Sequence, residues 1–209
     1  MGIQERKSRQ KESLRQEILD AAREMFAREG YENVTMRRIA EKIEYSPTTI
    51  YLYFRDKAEL LYHVCEDTFA QLADHIERIG KESDDPRDAL KSGLQAYVEF
   101  GLKHPNHYRV VFDMPAQERP AHCGDAPVDE YFRSSQGGRA FNSLVQAVQE
   151  CVQSGRFPGP DVALASQILW AGVHGLTSLL INLPEFPWAG RDTLIDGTID
   201  TLLRGLERA

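Results

Sequence analysis

The sequence is short of cysteine, of long apolar runs and of any complete reactive or metal-binding residue set. Three cysteines, Cys65, Cys123 and Cys151, are odd in number and widely spaced. They exclude a disulfide-stapled scaffold and read as reduced thiols. No apolar run approaches the roughly 20 residues that a membrane span requires. The longest candidate, around Val173 to Leu183, is interrupted by His174, Gly175, Thr177, Ser178 and Asn182. No apolar stretch follows the first charges, so a secretory signal is not expected. His104 and His107 straddle Pro105, and His122-Cys123 falls among loop-forming residues; neither is a full metal-ligand set. No phosphate-binding glycine loop, nucleophile motif or paired-carboxylate signature is visible. The chain therefore reads as a cytoplasmic protein that is not an enzyme, with no metal and no cofactor.

What is present is ordinary in amount and uneven in placement. Hydrophobic residues at 42% and charged residues at 27% suit a globular protein able to bury a core. The net charge is -7, yet residues 1–57 hold 12 Lys/Arg against 10 Asp/Glu while the rest holds 13 against 22. The first fifteen residues are the most basic, with Arg6, Lys7, Arg9, Lys11 and Arg15 against Glu5 and Glu12. A basic arm on an acidic body can still bind phosphates at short range. A solvated tail has the same composition.

Apolar residues recur with helical periodicity and no strand alternation appears, which predicts an all-α fold. Leu14, Ile18, Ala21, Ala22, Met25 and Phe26 form one stripe, stopped by Gly30. Thr35 caps a short second helix with Met36, Ile39, Ala40 and Ile43 inward. Ser46-Pro47 is a cap followed by proline at the first helical position, and the third helix is read through Thr48 to Phe54. Asp56 with Glu59 resembles a capping box opening a long helix from Lys57 to about Lys81. A joint at 82–86 ends on Asp85-Pro86, which starts a helix ending near Pro105, and Pro105 then starts a short one with Tyr108, Val111 and Phe112. Residues Pro115 to Gly138 carry enough proline and glycine to read as a long loop. Helices resume at about Arg139–Ser154, Val162–Leu183 and Arg191–Arg208.

Three short helices over residues 14–54, with a tight turn between the second and third, fit a helix-turn-helix. Hydroxyls on Ser46, Thr48, Thr49, Tyr51 and Tyr53 can reach base edges or phosphates without holding the helix out of a groove. Lys57 begins the next helix, where the positive dipole end and an ammonium both attract phosphate. The runs Val34-Thr35-Met36-Arg37-Arg38-Ile39-Ala40 and Tyr45 through Leu60 resemble the DNA-binding domain of the tetracycline-repressor (TetR) family. That resemblance implies that the third helix enters the major groove and that Tyr51 and Lys57 bind phosphate. It implies a DNA face of Thr35, Arg37, Ser46, Pro47, Thr48, Thr49, Tyr51, Tyr53 and Lys57. Two positions depart from the family pattern: Glu44 in the turn and Thr48, where glycine is frequent. Glu44 would be strained if the turn needs a positive φ.

The resemblance divides the chain into a DNA-binding domain at 1–57 and an effector-binding and dimerisation domain at 58–209. Trp170-Ala171-Gly172-Val173-His174-Gly175-Leu176 resembles the Trp-His-Gly element of one group of TetR-like C-terminal domains. Gly172 and Gly175 each cost about 1 kcal/mol in a helix, which close approach of a neighbouring helix would offset. The resemblance implies a homodimer through the last two helices. The stripe Ile195, Ile199, Leu202 and Leu206 has suitable spacing for that seam, with closure of the protomer's own core as the alternative. A pocket for a small, largely apolar effector is expected among Phe69, Leu72, Tyr97, Phe100, Tyr108, Phe112, Phe141, Trp170 and His174, each of which also reads as ordinary core. The function expected is a ligand-responsive repressor that binds a palindromic operator on double-stranded DNA. A constitutive DNA-binding protein without an effector is the alternative.

Overall fold

A computed structural model describes residues 2–113, 134–159 and 161–208, with helices and no strand among them. The described residues form two compact units, one of residues 2–68 with 106–113, the other of 69–105 with 134–208.

In the first unit α1 (Ile3–Glu29) buries Ile18, Leu19, Ala22 and Phe26. It starts well before the predicted stripe, so the basic stretch is helix and not an irregular arm. Gly30 ends it at φ +80°, with its amide returning to the Phe26 carbonyl at 3.0 Å. Next, α2 (Met36–Lys42) is capped by Thr35 Oγ1, which accepts from the Arg38 amide at 3.3 Å. α3 (Pro47–Tyr51) is capped by Ser46 Oγ, which accepts from the Thr49 amide at 3.2 Å. It is shorter than the sequence suggests. The Tyr53 and Phe54 amides both turn back to the Ile50 carbonyl, at 2.9 and 3.1 Å, and this bend sends the Phe54 ring into the core. The long helix α4 (Lys57–Gly80) opens on the expected pair, slightly displaced. Asp56 Oδ1 accepts from the Glu59 amide at 2.8 Å, while Glu59 Oε2 accepts from the amide of Arg55 at 2.6 Å. Ile18, Ile39, Ile50, Phe54, Leu60 and Val64 form one buried cluster, joined by Val110 from a π-helical turn (Arg109–Asp113). Each such side chain contributes about 1.5–3 kcal/mol. Arg23 is buried too, and pairs with Asp20 and Asp67.

The second unit is built on α5 (Pro86–Lys103), which packs against α7 (Gln136–Gln153), α8 (Val162–Asn182) and α9 (Arg191–Glu207). A four-residue helix, α6 (Pro105–Tyr108), follows α5. On α5, Arg87, Lys91 and Gln95 stand one turn apart and bind Glu207, Asp200 and Asp196 of α9 at 2.6, 2.8 and 2.6 Å. That ladder fixes the antiparallel register of the two helices. α7 begins three residues earlier than the sequence suggests, because Ser135 Oγ accepts from the Gly138 amide at 3.0 Å and caps it. Gly137 is thus helical, and a Cβ there would lie 3.2 Å from the Phe69 ring. The rest of the predicted loop, with His122 and Cys123, lies outside the described residues.

The predicted seam on the last helix is corrected. Ile195, Ile199 and Leu206 are buried inside the protomer together with Leu203, and Leu202 leans on Gly172, where a Cβ would come within 2.5 Å of its Cδ1. Close approach therefore accounts for Gly172, whereas a Cβ at Gly175 would meet nothing within 4 Å. α8 runs as the sequence predicts, but against the expectation that no apolar run approaches a membrane span it is long and apolar enough to cross one by length and composition. Two polar breaks in it are neutralised locally, since the Ser166 and Thr177 hydroxyls donate to the Val162 and Val173 carbonyls, both at 2.7 Å.

Candidate functional site

The five residues of α3 bury only Ile50. With Phe54 one turn further on also buried, the inner face is used up, so Pro47, Thr48 and Tyr51 are left outward. Tyr51 is 54% exposed. Thr49 is half-buried, and its Oγ1 lies 2.9 Å from Ser46 Oγ, so these two hydroxyls support each other at the cap. Tyr53 is half-buried with its body against the core, which fixes its direction. Thr35 serves its own cap, and Arg37 is exposed beside Glu41 at 3.0 Å. The turn before α3 holds Glu44 at φ +60°, the strained geometry anticipated for it. A left-handed non-glycine residue costs about 1–2 kcal/mol. Sequence reasoning passed over Tyr45, 43% exposed beside the Ser46 cap, and Leu52, 75% exposed just after α3.

Lys57 stands at the first residue of α4 and is already engaged within the unit. Its Nζ donates to the Tyr31 carbonyl at 2.8 Å and lies 4.0 Å from the centre of the Tyr31 ring. Deeper on the same helix, His63 Nδ1 lies 3.3 Å from Arg15 Nη2, and its ring packs by Phe54 and Tyr62. Burial, and then the Arg15 charge, hold the His63 pKa below its ordinary 6.5 in spite of Glu59. The folded ring therefore takes up a proton less readily than the unfolded one. Stability linked to it is complete above about pH 6.5 and is lost as pH falls through the lower folded value. Burial shifts His75 in the same direction. Denaturant midpoints should fall between pH 7.5 and 5.5, and His63→Gln should flatten part of that fall; an unchanged pH profile in the variant would dismiss His63 as the source.

The predicted effector residues divide between the units. Tyr108 and Phe112 pack on each other at 4.8 Å in the first unit. In the second, Tyr97, Phe141, Trp170 and His174 come together from α5, α7 and α8. The Phe141 and Trp170 rings meet edge-on at 5.7 Å, and the Trp170 and His174 rings are 5.8 Å apart. Trp170 Nε1 can only donate and lies 3.4 Å from Tyr97 Oη, which lies 3.1 Å from His174 Nδ1. Tyr97 Oη thus accepts from the indole and stands within hydrogen-bond reach of the imidazole, which joins the three side chains in one string. Leu72 and Phe100 are buried in this unit, and Phe69 faces Gly137. Cys151 is buried, which pushes its thiol up to about 11 and keeps it protonated at neutral pH. Among the described residues no cluster of His, Cys, Asp or Glu could hold a metal ion.

A three-helix head with a tight turn, its third helix buried on one side only, defines a helix-turn-helix DNA-binding protein. Residues 18–64 match the family described as bacterial regulatory proteins, tetR family, and residues 90–204 match the tetracyclin repressor-like C-terminal domain. The chain belongs to the TetR family of transcriptional regulators. It is 29% identical over 90 residues to the HTH-type transcriptional regulator SAR2658 of Staphylococcus aureus, covering 43% of this chain and 49% of that one. The chain thus spans about half the length of the curated relatives it matches. A TetR family regulator from Marinobacter aquaeolei VT8 shares the fold with a TM-score of 0.74 at 21% identity, over 95% of this chain and 98% of that one. FadR of Bacillus subtilis, solved in complex with stearoyl-CoA, also has a TM-score of 0.74 at 21% identity, over 91% and 98%. A Rhodococcus sp. RHA1 protein of unknown function gives 0.76 at 23%, over 93% and 95%.

Proposed function

We propose that this regulator is a cytoplasmic, ligand-responsive repressor that binds a palindromic operator as a homodimer and is released by a small, largely apolar effector. The observation that carries the reading is α3, a capped helix rooted by Ile50 and Phe54 with Thr48 and Tyr51 left outward. Residues 1–57 supply the DNA face, and residues 58–209 supply the effector site and the dimer. Two α3 helices about 34 Å apart, or a whole number of turns, would enter successive major grooves. The exposed side of α8 supports a twofold seam: Leu164, Ile168, Leu179 and Leu183 lie outward, with Gly175 open between them. The Tyr97-His174-Trp170 string in an aromatic surround suits a ligand with an apolar body and one polar anchor.

Enrichment of duplexes from a random-sequence pool by the pure protein tests the DNA reading, and failure to enrich any sequence would refute it. Lys57→Ala should then weaken binding to all sequences alike and lower the salt slope by about 1. Thr48→Ala, at a position left outward on α3, should instead relax preference at particular base pairs. If neither changes affinity, DNA docks elsewhere. The Bacillus subtilis neighbour was solved with stearoyl-CoA, so stearate, the apolar part of that ligand with one polar end, is the first effector probe. A hundredfold release from the operator needs about 2.7 kcal/mol of coupling, and DNA must weaken ligand binding by the same factor. Tyr97→Phe removes the hydroxyl that the string requires and should blunt release while sparing ligand-free DNA binding. Equal ligand affinity with and without operator would leave the constitutive alternative.

A further inference from the structure

Residues 4–13 of α1 are exposed on every side. A helix that is polar all round has no apolar face to hold it, and charge is what this segment carries instead. At 100° per residue, Arg9, Arg6, Gln10, Lys7 and Lys11 follow one another around an arc of roughly 200°, while Glu5 and Glu12 fall together on the remaining face. The segment has a basic side and an acidic edge.

Ion pairing divides the unit in the same way. Each cation from Arg15 to Arg55 has a carboxylate partner: Glu12 for Arg15, Asp20 and Asp67 for Arg23, Glu24 for Arg28 and Lys42, and Glu41, Glu29 and Asp56 for Arg37, Arg38 and Arg55. Arg6, Lys7, Arg9 and Lys11 have no such partner among the described residues. Glu5 is turned onto the Gly2 amide at 3.0 Å.

The position of these four charges names their occupant. Lys7, Gln10, Lys11 and Ser13, with Leu14 and Glu17 at its far end, form one wall of an open groove of about 730 Å³, and Tyr45, Leu52 and Tyr53, which bracket α3, form the other. Arg6 and Arg9 line a second groove across Gln10. A duplex seated on α3 and running past Tyr45 and Tyr53 would meet this helix across the groove. We infer that the first turns of α1 are a clamp on the DNA backbone that grips phosphates flanking each half-site, outside the reach of the helix-turn-helix. The inference rests on the DNA-binding reading above. From Ile3 to Ser13 the helix extends about 15 Å, the length of four to five base pairs. Mixed lysine and arginine with no aromatic among them suit a continuous line of phosphates and carry no base readout.

The test uses the duplex enriched by the wild-type protein and the variant Arg6→Gln/Lys7→Gln/Arg9→Gln/Lys11→Gln. The slope of log affinity against log salt should drop by about 0.9 for each phosphate that is no longer neutralised, up to about 3.6 per protomer, with at least a ~10-fold weaker affinity near 0.15 M salt. Hydroxyl-radical protection of about four base pairs beyond the half-site should vanish. The thermal midpoint should not move, because these side chains pack on nothing. Arg28→Gln, which removes a cation already paired with Glu24, should leave the slope unchanged. A duplex trimmed flush with the half-sites should bring wild-type affinity down to that of the variant, a comparison that needs no change in the protein. A variant that binds with wild-type slope and footprint overturns the clamp alone. A wild-type protein that enriches no DNA overturns the reading on which the clamp rests.

Discussion

Ile168→Glu is expected to convert the proposed dimer to a folded monomer and to cut operator affinity by at least a hundredfold. On α8, Leu164, Ile168, Ala171, Gly175, Leu179 and Leu183 recur at three- and four-residue steps and so share one face. Leu164, Ile168, Leu179 and Leu183 are 56, 44, 45 and 49% exposed, so among the described residues about half of each is left uncovered. The opposite face is committed to the core through Ala165, Leu169, Val173 and Leu176. A carboxylate at position 168 costs the isolated protomer little, because it points to water. At an apolar seam it would be buried without a partner, at a cost of several kcal/mol. Without the seam the second half-site is bound as a separate event, and effective concentrations of linked sites make that loss a factor of roughly 10²–10⁴. Sedimentation that still finds a dimer would move the interface to another face.

Phe54→Ala is expected to remove about 3–5 kcal/mol, the usual cost of deleting a fully buried phenyl ring. That is a large share of the roughly 5–15 kcal/mol available to an ordinary domain. Phe54 is 1% exposed, and its ring also takes the Arg15 guanidinium at 5.5 Å and the His63 ring at 5.6 Å. The bend after α3 brings this ring inward, so its loss frees α3 from one of its two anchors. The variant should lose specific DNA binding while the helices of the second unit stay protected from hydrogen exchange. Phe54→Leu should lie between. A stability within about 1 kcal/mol of wild type would show that Ile50 alone holds the helix.

Features set by neighbours in the chain were legible in the sequence. Thr35, Ser46-Pro47, Asp85-Pro86 and the Asp56 turn each announced a helix start, because a cap is a hydrogen bond across two or three residues. Glu44 was legible for the same reason, since a tight turn dictates its own φ. What failed was whatever depends on a distant partner. The glycines at 137 and 138 look like breakers until Ser135 and the Phe69 ring are placed beside them. Periodicity on α9 revealed an apolar face and not what covers it, and α5 and α8 cover it within the same protomer. Tyr108 and Phe112 were grouped with Trp170 on chemistry, whereas packing puts them in the other unit. The outward residues of α3 follow from the periodicity, since Ile50 and Phe54 take the inner positions.

The hydrogen bond between Lys57 and the Tyr31 carbonyl has a consequence for the speed and economy of recognition. A free lysine side chain samples many rotamers, and freezing it costs up to about 1.5–2 kcal/mol. Here a carbonyl 26 residues away, together with the ring beneath the ammonium, has restricted that freedom in the folded protein. The ammonium has three hydrogens, so it can keep the carbonyl and offer the others to a phosphate. Its ordering is charged to folding and not to the encounter with DNA, which makes the lysine a pre-set stop against which the duplex can register.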